Sequence, residues 1–451
     1  MPVPKFKHTS RADFKTQFFN RIGDSSKRFW TDSEIDIILA EALYTLGAVG
    51  QTWRNQIELK TVVAQSFYDI SSDLTAETQE QTAYNLTYQF ILDIINFHLI
   101  EEVSIVNQSS EVTNLTEILK FARNRVNQFQ FQTGLILSRK NFNMNPPNDN
   151  TVIIDDEIID IVRVAYVDFD ELFNPDQIFV LKKEDEDSIG HFNRNAFNLT
   201  TDRPTFYTSI LGNLNTIRIY PLPSNLGALE IISINGIPVT TMIDLGTKIG
   251  IPDNLVPYIK WGILADIYAK EGIGYNPAMA NYCEGRWNEG ITIGTNYTSI
   301  LEAKLNRLPI LLDSIFSLDN NQNGWQNSID APSLIAIAGY NLIVTNCKPD
   351  AIYSLLMYSV TNAYIPVDDN DFVDIKLEYI EPLLNYCIHL ANVKNGFEDI
   401  KNTSALKDDF IKMAVKNNIR LTKRGFDVET MLKKTKREEE DNPIRVEEVA
   451  A

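Results

Sequence analysis

Cysteine and histidine are scarce in this chain, with three of the former and four of the latter among 451 residues. Cys283, Cys347 and Cys387 are too few and too scattered for a disulfide framework or a zinc ribbon. All three lie in apolar, helix-like surroundings, where a thiol behaves as a small hydrophobe, so buried, inert thiols are expected. His8, His98, His191 and His389 show no HExxH, HxH or His-with-Cys spacing. Two of them, His98 and His389, fall on apolar helical faces, where packing with one hydrogen bond is the expected role. No metal and no cofactor is therefore expected. Glycine-dependent motifs are missing too: there is no GxSxG, GxxxxGK[ST] or GxGxxG, and Gly272-Ile273-Gly274 reads as a helix-ending turn. No run of about 18 uncharged apolar residues occurs, which argues against a membrane span. The opening stretch MPVPKFKHTSRADFKTQFFNRIG lacks the apolar core of a signal peptide, so synthesis and folding in the cytosol are expected.

Positive charge is also in deficit. Lys and Arg number 41 against 60 Asp and Glu, a formal net charge of -19. A grip on nucleic acid needs clustered cations for the phosphates, so that class is disfavoured. What remains is ordinary globular usage, 44% hydrophobic and 22% charged, in a chain long enough for two or three domains.

The first segment, residues 1–140, reads as helical. Thr31 with Glu34 forms a capping box, after which Ile35, Ile38, Leu39, Ala42, Leu46 and Val49 recur at steps of three and four up to Gly50. Similar spacing marks residues 84–99 and, opened by Asn114 with Glu117, residues 115–129. Three amphipathic helices of this kind can cover one another. Residues 141–150, NFNMNPPNDN, then form a turn-rich linker in which neither a helix nor a central strand persists. A β-rich domain over 141–250 follows, with strands expected at 151–154, 158–169, 205–210, 216–220 and 228–234. Between them, 182–187 (KKEDED) and 191–198 read as an exposed loop.

Helical pattern resumes over 251–320. Asp253 or Asn254 is placed to cap a helix in which Pro257 lies in the first turn, and that helix is apolar nearly all round apart from Lys260 and Asp266, so it is expected to be central. A second helix starts at Pro277 and runs past Gly290. A C-terminal helical region is expected over 321–432, with helices at 348–363, 374–393 and 405–418, and the charged tail 433–451 reads as disordered or as an arm that orders on assembly. The fold class is α+β, with helical segments packing around an inserted β-rich domain.

Chemistry is nearly silent. Asp368, Asp369, Asn370, Asp371 and Asp374 crowd oxygens as a calcium loop does, but the glycine and distal glutamate of an EF-hand are missing, and a capped acidic turn is the expected structure. Carboxylate pairs for hydrolysis can be chosen anywhere among 60 acids, so none stands out and no enzyme is expected. Trp30, Trp53, Trp261 and Trp287 are expected as core or subunit-interface anchors. Arg54, Arg163 and Arg286 are expected to form bidentate pairs with carboxylates at helix contacts.

An ordered set of motifs carries a resemblance. Trp30 leads into Thr31-Asp32-Ser33-Glu34-Ile35, then Glu41-Ala42-Leu43, Trp53-Arg54 and Phe67-Tyr68-Asp69. Arg125, Gln128-Phe129 and Thr133-Gly134 follow, then Arg163-Val164-Ala165, and Arg203-Pro204-Thr205-Phe206-Tyr207 leading to Tyr220-Pro221-Leu222-Pro223. Lys260-Trp261-Gly262-x-Leu264-Ala265-Asp266 and Tyr282-Cys283-Glu284-x-Arg286-Trp287-x-Glu289-Gly290 complete the order. Over residues 28–292 the chain resembles structural proteins of tailed bacteriophages, of the head-to-tail connector or adaptor (tail-tubular-like, ring protein) type. The residues after 299 match no part of that pattern.

The resemblance implies a homo-oligomeric, dodecameric ring in the neck or tail of the virion, bound to portal protein and other tail or ring proteins, with DNA passing through unread and no membrane contact. Twelve copies at -19 each would carry roughly -230 charges, which suits sliding DNA better than binding it. A tail-fibre attachment or host-surface binding protein of the virion is the other expectation.

Overall fold

In the computed structural model the described residues are 6–70, 85–99, 113–144, 150–169, 177–185, 188, 202–209, 215–224, 226–238, 241, 243–272, 274–322, 324–393 and 397–425. The tail at 433–451 and the loop stretch 191–198 lie outside them. The fold is mixed α and β.

Helices α1 (Arg11–Ile22) and α2 (Asp32–Gly50) come first. The α2 capping box forms as expected: Glu34 N donates to Thr31 Oγ1 at 3.3 Å and Thr31 N to Glu34 Oε2 at 2.8 Å. Gly50 is the last helical residue, and Gln51 takes the left-handed cap position at φ 43°. Two strands follow where helix was expected, β1 (Arg54–Lys60) and β2 (Phe67–Asp69). Helices α3 (Tyr88–Leu99) and α4 (Leu115–Thr133) match the periodicity, with Asn114 and Gly134 capping α4 at its two ends.

The β-rich region contributes β3 (Leu137–Met144), β4 (Thr151–Ile153), β5 (Ile158–Asp168), β6 (Gln177–Lys183), β7 (Phe206–Ser209), β8 (Thr216–Tyr220) and β9 (Gly227–Asn235). They form one sheet in the order β3-β9-β5-β6-β7-β8-β4, antiparallel except where β6 meets β7. Residues 141–144, expected in a linker, belong to β3. An edge strand needs partners on one side only, so the polar sequence is tolerated there.

Next come α5 (Val256–Ala269) and α6 (Pro277–Thr295). The expected cap of α5 is absent. Asp253 instead accepts Asn85 N and Leu86 N at 2.8 and 2.9 Å, and Asn254 accepts Ala363 N at 2.9 Å, so both side chains bind distant backbone. The remaining elements are β10 (Ile300–Leu305), β11 (Leu308–Pro309), β12 (Leu311–Ser314), α7 (Ile315–Asn321), β13 (Ile329–Asp330), β14 (Leu334–Ala338), β15 (Leu342–Thr345), β16 (Lys348–Pro349), β17 (Ser354–Val360), α8 (Leu377–Val393) and α9 (Phe397–Gly425).

The expectation of a wholly helical C-terminal region is therefore corrected. Residues expected as a helix at 348–363 form β16 and β17. Strand β17 sits between β1 and β10, and β15 pairs with β2, so two sheets are completed by strands from the first 70 residues. An apolar run such as SLLMYSV has no helical period, and its length suits a buried strand.

One large apolar core joins α1–α6, α8 and α9 with the inner face of the β1-β17-β10 sheet. A second core, containing Phe67, Ile232, Leu318 and Trp325, lies where the seven-stranded sheet meets β14 and α7. Helix α5 is buried over most of its surface, as its sequence predicts.

Candidate functional site

The motif residues converge on a buried polar seam around α5. Lys260, fully buried, points into the apolar core, donates from Nζ to a carboxylate oxygen of Glu41 on α2, and shares a 2.8 Å hydrogen bond with His98 Nε2 on α3. The ammonium also lies 3.9 Å from the centroid of the Trp261 ring. Burial pushes the Lys260 pKa down to about 8, and the neighbouring Glu41 carboxylate limits the fall. Burial works in the opposite sense on Glu41, but Lys260 and His98 outweigh it and hold that carboxyl below its usual range.

Arg286 on α6 is buried beside this group. Its Nη2 donates to Tyr386 Oη on α8 at 2.7 Å and its Nη1 to Glu289, while the guanidinium lies 5.7 Å from the Trp261 ring and 5.8 Å from that of Tyr258. Glu289 in turn accepts Lys407 Nζ of α9 at 3.2 Å. The expected bidentate carboxylate pair at Arg286 is thus replaced by one carboxylate and one phenol. Burial opposes its charge, yet Tyr386 and Glu289 raise its pKa on balance.

The bidentate geometry expected of Arg286 occurs instead at Arg125 of α4. Its Nε and Nη2 donate to the two oxygens of Asp266 at 2.9 and 2.6 Å, and Nη2 reaches Glu284 at 3.0 Å, so one guanidinium ties α4 to α5 and α6. Trp287 packs beneath it, 5.1 Å from ring centroid to guanidinium carbon. Close approach of these helices depends on glycine. A Cβ on Gly262 would meet Trp287 Cε3 at 2.8 Å, and one on Gly290 would meet Tyr258 Cβ at 2.4 Å.

Arg163 performs a similar task between β5 and the C-terminal region. Its Nε and Nη2 donate to both oxygens of Asp319 at 2.7 and 3.2 Å, and its Nη1 to Glu230 at 2.9 Å. The pairing is as expected, but the contact is between strand β5 and helix α7, not between two helices. Trp325 Nε1 donates to the same Asp319 at 2.9 Å.

Arg54 departs from expectation. It starts a strand, donates from Nε to Gln51 O at 3.1 Å, and makes no ion pair among the described residues; burial lowers its pKa. All four expected tryptophans are buried, Trp30 against Phe97 at 5.9 Å and Trp53 at the foot of β1, where its carbonyl accepts Thr361 N at 3.0 Å. Trp30 and Trp53 stand apart from the Trp261–Trp287 seam.

The three cysteines are buried and free. Burial pushes the Cys283 thiol up to about 12 and that of Cys347 to about 11, so neither is a thiolate at neutral pH. His389 hydrogen-bonds to Tyr282 Oη at 2.8 Å and Thr403 Oγ1 at 3.0 Å, two partners where one was expected. Burial, reinforced by Arg286, drives its pKa down to about 3.

The acidic turn at 368–374 spends its oxygens internally. Asp371 Oδ2 accepts the amides of Val367 and Asp368 at 2.9 and 2.8 Å, Asp369 pairs with Lys15 at 3.3 Å, and Asp374 accepts Phe6 N at 2.9 Å. Among the described residues no cluster of three or more His, Cys, Asp or Glu is arranged to hold a metal ion, and no helix is long and apolar enough to cross a membrane.

The Glu41–Lys260–His98 group was not anticipated as a unit. Its signal was a lysine and a glutamate set among apolar neighbours, Lys260 between Ile259 and Trp261 and Glu41 between Ala40 and Ala42; a buried charge needs a partner, but sequence does not say which. Neither protein-family models nor curated protein sequences give a match to this chain.

Proposed function

We propose that this chain is a structural virion protein forming a ring in the head-to-tail connector or upper tail of a tailed phage, joining portal to tail and leaving a channel for DNA. One observation carries the reading: the motifs that resemble connector proteins meet in space. Glu41, Arg125, Lys260, Trp261, Asp266, Glu284, Arg286 and Trp287 come from four separate motifs and stitch α2, α4, α5 and α6 into one layer. Glu41, Lys260 and Arg286 do so through buried contacts, and Arg125 with Asp266 and Glu284 through a partly exposed one. A scaffold that must keep its shape while neighbouring subunits and a packed genome press on it gains from such internal ties.

In this reading the α+β fold is a helical bundle with the seven-stranded sheet inserted between α4 and α5, and identical subunits close head to tail into a ring with the portal's symmetry. The net charge of -19 keeps a DNA-lined channel from adhering.

The second reading, tail-fibre attachment or host-surface binding, draws on a cleft of about 970 Å³ between β6, β7 and the 324–327 turn. There Arg203 lies 3.3 Å from the centroid of the Phe179 ring, and Lys182 and Asp202 also line the cleft. Quantitative mass spectrometry of purified virions separates the two. A copy number near twelve, equal to that of the portal, supports the ring; multiples of three matched to fibres support attachment.

A further inference from the structure

The cleft between β6, β7 and the 324–327 turn holds two cations with no acid at ion-pair distance among the described residues. Arg203 has its guanidinium carbon 3.3 Å from the centroid of the Phe179 ring, so the aromatic face fixes its position. Its N–H groups remain unspent: among the described residues that guanidinium makes neither an ion pair nor a hydrogen bond. The ammonium of Lys182, also on the lining, makes none either. Nearby acids are committed elsewhere. Asp202 Oδ1 accepts the Arg203 backbone amide at 2.7 Å, and Asp319 is held by Arg163 and Trp325. Asp168 and Asp202 act on the guanidinium through their field alone. Buried Pro204 and Trp325 and half-buried Phe206 complete the lining with apolar surface. Arginine set among aromatic side chains is the composition in which interface cores are enriched.

The same chain carries a complementary projection. In the turn at 367–371, Asp371 Oδ2 accepts the amides of Val367 and Asp368, and the carbonyls of Asp369 and Asp371 accept Ala12 N and Arg11 N at 3.1 and 2.8 Å, so the turn is fixed to the start of α1. Val367 is nonetheless 70% exposed, and Asp368 is exposed beside it. Asp369 and Asp371 have partners, whereas the Asp368 carboxylate has none among the described residues. Arg11 lies within its field but binds Asp36 and the Val367 carbonyl. None of 367–371 lines the cleft of its own chain.

We propose that Val367 and Asp368 of one copy enter the Arg203 cleft of the next, an assignment that rests on the ring reading. The Asp368 carboxylate meets Arg203 and Lys182, and Val367 meets the apolar lining. Projection and cleft differ, so the contact is heterologous, the type that closes a ring or, failing closure, runs on as a filament. It also answers a problem of charge. Copies at -19 each repel, and a carboxylate that gains two cations across the interface opposes that repulsion at the point of contact. A guanidinium already placed by a ring loses little freedom on pairing, and its fork suits both oxygens of a carboxylate.

The test uses the full chain. Asn320→Cys, an exposed position on the cleft, is mixed with Asn370→Cys, an exposed position on the turn, and a short bismaleimide is added. The natural cysteines are buried, so the introduced thiols react. The expected product is a two-chain species in the mixture, about tenfold above its level in either variant alone. Arg203→Glu in the Asn320→Cys chain should lower it by about tenfold, and Asp368→Arg in the Asn370→Cys chain should then restore it to within about threefold. Product no higher in the mixture than in either variant alone overturns the proposal, as does product that Arg203→Glu leaves unchanged. A chain carrying both cysteines separates the contact from the ring. A ladder of products ending at a closed species supports both, and a ladder that runs on without end upholds the contact and contradicts the ring.

Discussion

Removing one member of the Glu41–Lys260 pair should cost far more than removing both. Each side chain is at most 1% exposed, and the ammonium donates directly to the carboxylate. Lys260 in the fold titrates near 8 against an ordinary 10.5, which corresponds to roughly 3 kcal/mol of net penalty even with Glu41 present. Glu41→Met leaves a buried ammonium without its carboxylate, and Lys260→Met leaves a buried carboxylate without its ammonium; each should destabilise by about 3–5 kcal/mol. The double variant places two apolar side chains of similar length in an apolar core. It should lie within about 1 kcal/mol of wild type or above it, a coupling energy of at least about 3 kcal/mol. Urea unfolding followed by tryptophan fluorescence is the assay, with Trp261 at 3.9 Å from Nζ as the local probe. Single losses under about 1 kcal/mol that simply add in the double variant would refute the reasoning.

Gly290→Ala should destabilise by about 1–3 kcal/mol despite the better helix propensity of alanine, because the new methyl collides with the Cβ of Tyr258; a thermal melt reads it, and Gly285→Ala, where nothing lies within 4 Å, should be neutral or stabilising. His389 is neutral in the fold, with a pKa near 3 against 6.5 in the open chain, so between these values the unfolded state binds a proton that the native state refuses. Its stabilisation is complete above pH 6.5 and is lost as pH falls toward 3, a loss of about 2–3 kcal/mol between pH 7 and 4.5 that His389→Gln should abolish, as urea midpoints at the two pH values will show. Arg163→Lys keeps the charge but not the fork that holds Asp319. It should loosen the junction at Trp325 and speed amide exchange at 325–327, while leaving the Trp261 region unchanged.

Local signals made much of the helical part legible. Thr31 with Glu34, Asn114 before α4 and Pro277 at the start of α6 each mark a boundary through a neighbour three or four residues away, and the structure places the boundaries there. The strands around β9 were equally readable, since Ile, Val and Tyr runs punctuated by Asn, Gly and Pro leave few alternatives. Long-range pairing was not readable. Strand β1, RNQIELK, buries only Ile57 and gains its place from β17, some 300 residues later. Asp253 looked like a helix cap, a local role, and was taken up by backbone amides 167 and 168 residues away. Of the arginines and tryptophans singled out in the sequence, Trp261, Arg286 and Trp287 meet in the seam and the others do not, and which guanidinium met two carboxylate oxygens was decided by helix and strand placement. Arg125 sits over Asp266, whereas Arg54 opens a strand and pairs with no acid among the described residues.

The measurement that bears most directly on the central claim is imaging of the virion's neck at a resolution that traces α5 and the seven-stranded sheet. The account predicts a closed ring of about twelve copies on the tail axis between portal and tail. A peripheral trimer at the fibre base, or a virion lacking the chain, would contradict it.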